Sequence, residues 1–161
     1  GAVEVWSSDG SEVSPSLAWG GNVLSAKLSR DGTRLVLLVK DGSQVSVLIS
    51  GVVRDQEDKP SQLIEPLSLA VVDATSQAVA WHSDEAVTVL STTSEGSTVT
   101  LMTIGGESTT KASTTTPATA LAAGSGEDSI RLLLTDGSVV APRGSSWLQV
   151  ASGVTSIGYS W

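Results

Sequence analysis

Between Val23 and Ser50 the chain reads VLSAKLSRDGTRLVLLVKDGSQVSVLIS, three strand-like runs separated by two Asp-Gly turns. Few folds other than an antiparallel meander accommodate it. In Val23–Ser29 apolar and polar residues alternate, placing Leu24, Ala26 and Leu28 on one expected face and Ser25, Lys27 and Ser29 on the other, the period of a strand with one wetter side. Leu35–Val39 is continuously apolar, as in a strand covered on both faces. Gln44–Ile49 follows after Asp41-Gly42, a pair that tolerates the positive φ of tight hairpins.

The pattern recurs. Gln77–Ser83, Ala86–Leu90 and Thr98–Ile104 repeat it around turns at Ser83–Glu85 and Thr93–Ser97. Ala118–Gly124, Ile130–Thr135, Ser138–Ala141 and Trp147–Ala151 repeat it again around Asp136-Gly137. A spacing of roughly 40 to 55 residues lies in the range of propeller blades. In the first round a short fourth strand is expected around Leu63 and Ile64, between Pro60 and Pro66, and Lys111–Thr116 reads as a polar connector. Upstream, Ala2–Trp6, the Asp9-Gly10 turn and Glu12–Trp19, interrupted by Pro15, read as two further strands, the second at an edge because proline lacks a ladder donor. The stretch nearest to a helical pattern, Ser61–Thr75, is broken by Pro66.

The expected fold class is therefore all-β, antiparallel four-stranded meanders forming part of a β-propeller. Strands of a preceding blade fall at 1–20, blades at 23–66, 77–113 and 118–154, and a tail at 155–161. Since propellers hold about four to eight blades, a ring of this kind needs either a missing half or a second copy of the chain to close it.

Composition narrows the function. With nine basic against 17 acidic residues and a net charge of −8, the chain lacks the basic clusters that phosphate backbones require, and nucleic acid is not an expected partner. No Cys is present, which removes disulfides, thiolate metal sites and a cysteine nucleophile. A Ser-, Thr-, Ala- and Gly-rich chain with few Lys is compatible with export. No run of about 18 apolar residues suggests a membrane span, and no basic-then-apolar N-terminus reads as a signal peptide. Gly1 reads as a remnant of tag removal, so any targeting signal is expected upstream of it.

Catalytic chemistry finds little support. The Gly-x-Ser-x-Gly elbow is absent. His82, the one histidine, lies between Trp81 and Ser83 and reads as a partly exposed turn residue, since neither triad partners nor further zinc ligands accompany it. The Asp-Gly pairs at Asp9, Asp31, Asp41 and Asp136 read as hairpins; the alternating ligands of a calcium loop are missing. Asp84-Glu85 and Glu127-Asp128 are adjacent carboxylates in turns, which cannot face each other across a sugar. Gly105-Gly106 and Gly124-Ser125-Gly126 precede no helix that could hold a phosphate. Trp6, Trp19, Trp81, Trp147 and Trp161 read as packing pieces between sheets. No catalytic, metal or cofactor-binding residue is assigned, no cofactor is expected, and the chain is not read as an enzyme.

The runs LSAKLSRDGTRLVLLV (Leu24–Val39), VLISGVVRD (Val47–Asp55), AVAWHSDEAVTVLS (Ala78–Ser91), ALAAGSGEDSIRLLLTDGSVV (Ala120–Val140) and WLQVASGV (Trp147–Val154) resemble, in the same order, the C-terminal β-propeller region of the LpqB-type lipoproteins of actinobacteria. The end departs from the family's Tyr-Pro-Gly-like finish, reading Ile157-Gly158-Tyr159-Ser160-Trp161. The resemblance implies a lipidated N-terminal cysteine and a germination-protein-like module upstream, and a place outside the cytoplasmic membrane, reached only through that lipid anchor. It also implies association with the MtrA–MtrB two-component system through the extracytoplasmic domain of the sensor kinase. The function it implies is a non-catalytic interaction module modulating that kinase and cell-envelope homeostasis. The alternative is a propeller that binds a cell-wall saccharide or peptide.

Overall fold

A computed structural model of the chain describes residues 6, 10, 19–124, 126 and 129–158. Apart from Trp6, Gly10 and Trp19, the two upstream strands expected before residue 20 lie outside the described residues, as do Glu127-Asp128 and Trp161. No helix among the described residues is long and apolar enough to cross a membrane. The architecture is all-β, built from antiparallel sheets that are the blades of a propeller, two of four strands and the first with a fifth strand added to a four-stranded path.

In the first sheet β1 (Asn22–Leu28), β2 (Arg34–Asp41) and β3 (Gln44–Arg54) form the meander. The far edge of β3 is shared: β5 (Leu67–Val72) pairs along Val45–Ile49, and β4 (Pro60–Leu63) along Val52–Arg54. The second sheet is β6 (Ser76–Ser83), β7 (Ala86–Thr93), β8 (Gly96–Thr103) and β9 (Ser108–Thr114). The third is β10 (Ala118–Ala122), β11 (Arg131–Leu134), β12 (Val139–Arg143) and β13 (Ser146–Ala151).

The short fourth strand expected around Leu63 is β4, which pairs with the end of β3, and Ile64 lies just beyond it. Strand β5, which the sequence did not mark, takes the rest of the far edge of β3. One expectation about outer strands is corrected. The Thr-rich stretch expected as a connector is mostly β9. Threonine favours extended backbone, and with Ala112 the one buried residue of β9 no apolar alternation marks it in the sequence.

The three sheets share their irregularities as well as their strand order. The register steps over Leu24, Gln77 and Thr119 in the innermost strands and over Leu69, Lys111 and Val150 in the outer ones. A bulge adds local twist, so equivalent steps give each blade the same curvature. The step at Leu24 also breaks the face expected for β1: Val23 and Ala26 pack inward while Leu24 is exposed.

Strands β1 and β10 both lie against β6, so the innermost strands stand side by side as around a propeller axis. They point the same way. Near the far end of β6, Trp81 Nε1 donates to the Lys27 carbonyl at 3.0 Å; at its start, Gln77 Nε2 donates to the Ala118 carbonyl at 2.8 Å.

Side chains fill the gaps between sheets. Val36, Leu38, Val45 and Val47 of the first sheet meet Val79, Trp81, Val87, Val89 and Met102 of the second. Ala80, Leu90 and Val99 meet Leu121, Ile130, Leu132 and Val140 of the third. On the first sheet's other face Trp19 lies with Leu35, Leu37, Val39 and Leu63. Each fully buried Val or Leu contributes about 1.5–3 kcal/mol relative to exposure, which lets a chain without Phe hold its blades together. Trp19 and Trp81 are the bulky members of this packing, Trp147 packs half-buried against the second interface, and Trp6 is exposed.

Candidate interaction surface

Asp31, Asp73 and Asp136 are engaged by the turns they form. Asp31 accepts hydrogen bonds from Ser29 Oγ at 2.6 Å, Thr33 N at 3.1 Å and Thr33 Oγ1 at 2.8 Å. The Ser29 bond, followed by those from Thr33, holds its carboxyl at about 2. Asp73 is likewise lowered, by Thr75 Oγ1 and then the Thr75 amide. The Asp136 carboxylate accepts from the Ser138 amide at 2.8 Å. These are Asx-type turns that fix the backbone where the chain reverses.

His82 corrects an expectation, since it is buried within β6 instead of partly exposed in a turn. The strand continues to Ser83, and the register steps over His82 between the Trp81–Val87 and Ser83–Ala86 pairs. Among the described residues no three His, Asp or Glu side chains gather into a possible metal site.

The cavities do not suggest an enclosed active site. Where the far ends of the three innermost strands converge, Lys27, Leu28, Trp81, Ala122 and Gly158 border a space of about 60 Å³, far below the several hundred Å³ usual for small-molecule sites. At the opposite end an open groove of about 430 Å³ is lined by hydroxyls and two carboxylates, among them Thr75, Thr93, Ser97, Thr98, Asp73 and Glu95. It shares Ser113 and Thr114 with a second depression of about 360 Å³ that reaches Trp147.

Charge is distributed unevenly between the two ends of the sheets. Arg30 lies in the β1–β2 turn, Arg34 and Arg131 at the starts of β2 and β11, and Arg54 and Arg143 at the ends of β3 and β12. Antiparallel pairing brings all of these to one end. No sequence stripe announced this, because the arginines are separated by whole strands and mixed with Asp31, Asp84 and Glu85. The other end has Asp41, Asp73, Glu95 and Asp136 in its turns, with Lys40 beside them.

Arg34 is fixed by its surroundings. Its guanidinium lies 5.1 Å from the centroid of the Trp81 ring and donates to the Asp84 carbonyl, which joins the first two blades at the arginine end. Cation–π contact is strongest over indole.

The hairpin of β3 and β4 rises at this end and has no counterpart in the other sheets, where Ile104–Glu107 and Gly144-Ser145 make short turns. Asp55 Oδ1 accepts from the amides of Glu57 and Lys59, each at 2.9 Å, and Asp58 takes a left-handed φ of 63°. Arg54 Nη1 donates to the Asp58 carbonyl at 2.7 Å and its Nη2 to the Gly32 carbonyl at 3.4 Å. Gly51 lets Ile64 cross β3: a Cβ there would come within 2.8 Å of Ile64 Cδ1. Val53, Ile64 and Leu67 stand exposed on that side of the sheet. Ordered loops, arginines and exposed apolar side chains together suit macromolecular contact better than catalysis.

The family model described as the lipoprotein LpqB beta-propeller domain matches residues 3–157. No curated protein matches the chain.

Proposed function

The chain belongs to the lipoprotein LpqB β-propeller family, and from that premise we propose that it is a non-catalytic interaction module on the outer side of the cytoplasmic membrane. Its lipid anchor would be carried by an upstream cysteine. The partner in this reading is the extracytoplasmic domain of the MtrB sensor kinase, so that the module modulates MtrA–MtrB signalling and envelope homeostasis. We also read the chain as the C-terminal part of the family's propeller, with strands of a preceding blade at 1–20, blades at 23–66, 77–113 and 118–154, and a tail at 155–161. Strand β5 (Leu67–Val72) falls between the first two of these spans and pairs with β3 of the first blade.

The observation carrying the reading is the arginine end with its ordered hairpin. Arginine is enriched at protein interfaces and at their hot spots. Binding of the purified sensor domain, followed by surface plasmon resonance, tests it. The expected result is saturable binding that falls at least tenfold in Arg30→Glu/Arg143→Glu and weakens with salt. Binding unchanged by the double substitution would move the interface elsewhere, and no binding at all would remove the kinase as partner.

The hydroxyl-lined groove favours one second reading, a cell-wall saccharide or peptide bound at the opposite end. Soluble peptidoglycan fragments should then quench tryptophan fluorescence through Trp147, and an unchanged spectrum at saturating fragment would dismiss it.

A further inference from the structure

We propose that the outer edge of β5 is a docking site for an extended apolar peptide strand flanked by basic residues. The site does not depend on which protein carries that segment. Among the described residues β5 pairs with β3 and with no other strand, which leaves one row of its backbone groups directed outward. An edge of this kind is a template for a further strand unless charge, proline or a cover defends it. Leu67–Val72 reads LSLAVV, without a charge. Leu67 is 76% exposed and Val71 62%.

The register puts Leu67 beside Ile49 and Val71 beside Ser46, on opposite faces of the sheet, so an added strand would find an apolar neighbour on each side. Ile64 and Val53 extend the Leu67 side. The other outer strands are better defended or less exposed. Strand β9 holds Lys111 among hydroxyls, and β13 exposes Leu148 and Val150 by 45% and 49%. The bulge at Leu69 has equivalents in both of those strands and does not set β5 apart.

Charge selects the occupant. Glu65 precedes β5 and Asp73 follows it, both exposed, and no Lys or Arg occurs between Lys59 and Lys111. Antiparallel pairing of β5 with its copy would bring Glu65 of one chain towards Asp73 of the other, between molecules that each have a net charge of −8. Like charges across a strand pair destabilise it. A strand with lysine or arginine at its ends instead meets a carboxylate at each, and backbone bonding supplies the affinity as in other strand additions.

The probe is a fluorescein-labelled peptide of alternating valine and threonine with two lysines at each end, titrated by anisotropy. Saturable binding is expected, with new hydrogen-exchange protection confined to residues 67–72. Val71→Lys should weaken binding at least tenfold while leaving the circular dichroism spectrum intact, because that side chain is already in water. Thr110→Lys on β9 should leave binding unchanged, and a glutamate-flanked peptide should not saturate. Absence of saturation, equal losses in both variants, or a concentration-dependent dimer abolished by Val71→Lys would each overturn the proposal, the last by identifying a second copy as the occupant.

Discussion

Asp31 is worth more to the fold than to any chemistry, and acid should reveal it. Its folded value of about 2 lies below the ordinary 3.8, so between those values the unfolded chain binds more protons than the folded one. The stabilisation it gives is fully present above the ordinary value and disappears as pH falls towards 2. Urea unfolding at a series of pH values should therefore show a steep acid limb that flattens in Asp31→Asn. Gly96 offers a second test at this scale. It has a φ of 144°, and a Cβ there would enter the carbonyl group of Thr114. Gly96→Ala should cost about 1–3 kcal/mol, read as a lower urea midpoint. Gly42→Ala should cost less, since Gly42 faces open space and only its φ of 57° opposes the side chain. The sequence marked most turns, because Asp-Gly has a local mechanism. It could not place His82, whose burial depends on a register step within β6.

Inner strands and the outer strand β13 were legible, whereas β5 and β9 were not, for a physical reason. Leu35–Val39, Ala86–Leu90 and Leu132–Leu134 are buried by neighbours on both faces, so their largely apolar character survives in any reading frame. β9 reads STTKAST, with Ala112 its one buried residue. The strand β4 was legible between Pro60 and Pro66, but its pairing with Val52–Arg54, beyond the reach of β5, was not, because Gly51–Val53 continues the apolar run of β3. The arginine end was equally invisible, since gathering Arg34 and Arg131 depends on strand direction rather than on sequence neighbours. The contact of Trp81 with Lys27 and Arg34 spans two blades. Trp81→Phe keeps an aromatic ring but loses the pyrrole half of the indole, and with it the donor to the Lys27 carbonyl and part of the contact with Arg34. A loss of about 1–2 kcal/mol is expected from a buried hydrogen bond, with the denaturant slope unchanged.

At the scale of the molecule, β6 couples the sheets because its side chains alternate between two cores. Val79 and Trp81 face the first sheet, while Ala80 faces the third. The blades should therefore unfold together. Far-ultraviolet circular dichroism and tryptophan fluorescence are expected to give coincident transitions, and Leu90→Ala, at the second interface, should lower both by about 2–5 kcal/mol. Two separated transitions would show that the blades are independent units.

The unequal ends have an electrical consequence. Cations are nearly confined to one end, where Arg30, Arg34, Arg54, Arg131 and Arg143 stand among Asp31, Asp55, Glu57, Asp58, Asp84, Glu85 and Glu107, while the turns at the other end hold Asp41, Asp73, Glu95 and Asp136 with Lys40. An anionic surface approaching the molecule therefore finds most of its counter-ions at the first end. Strand direction sets that choice, because it decided the end at which each arginine emerged.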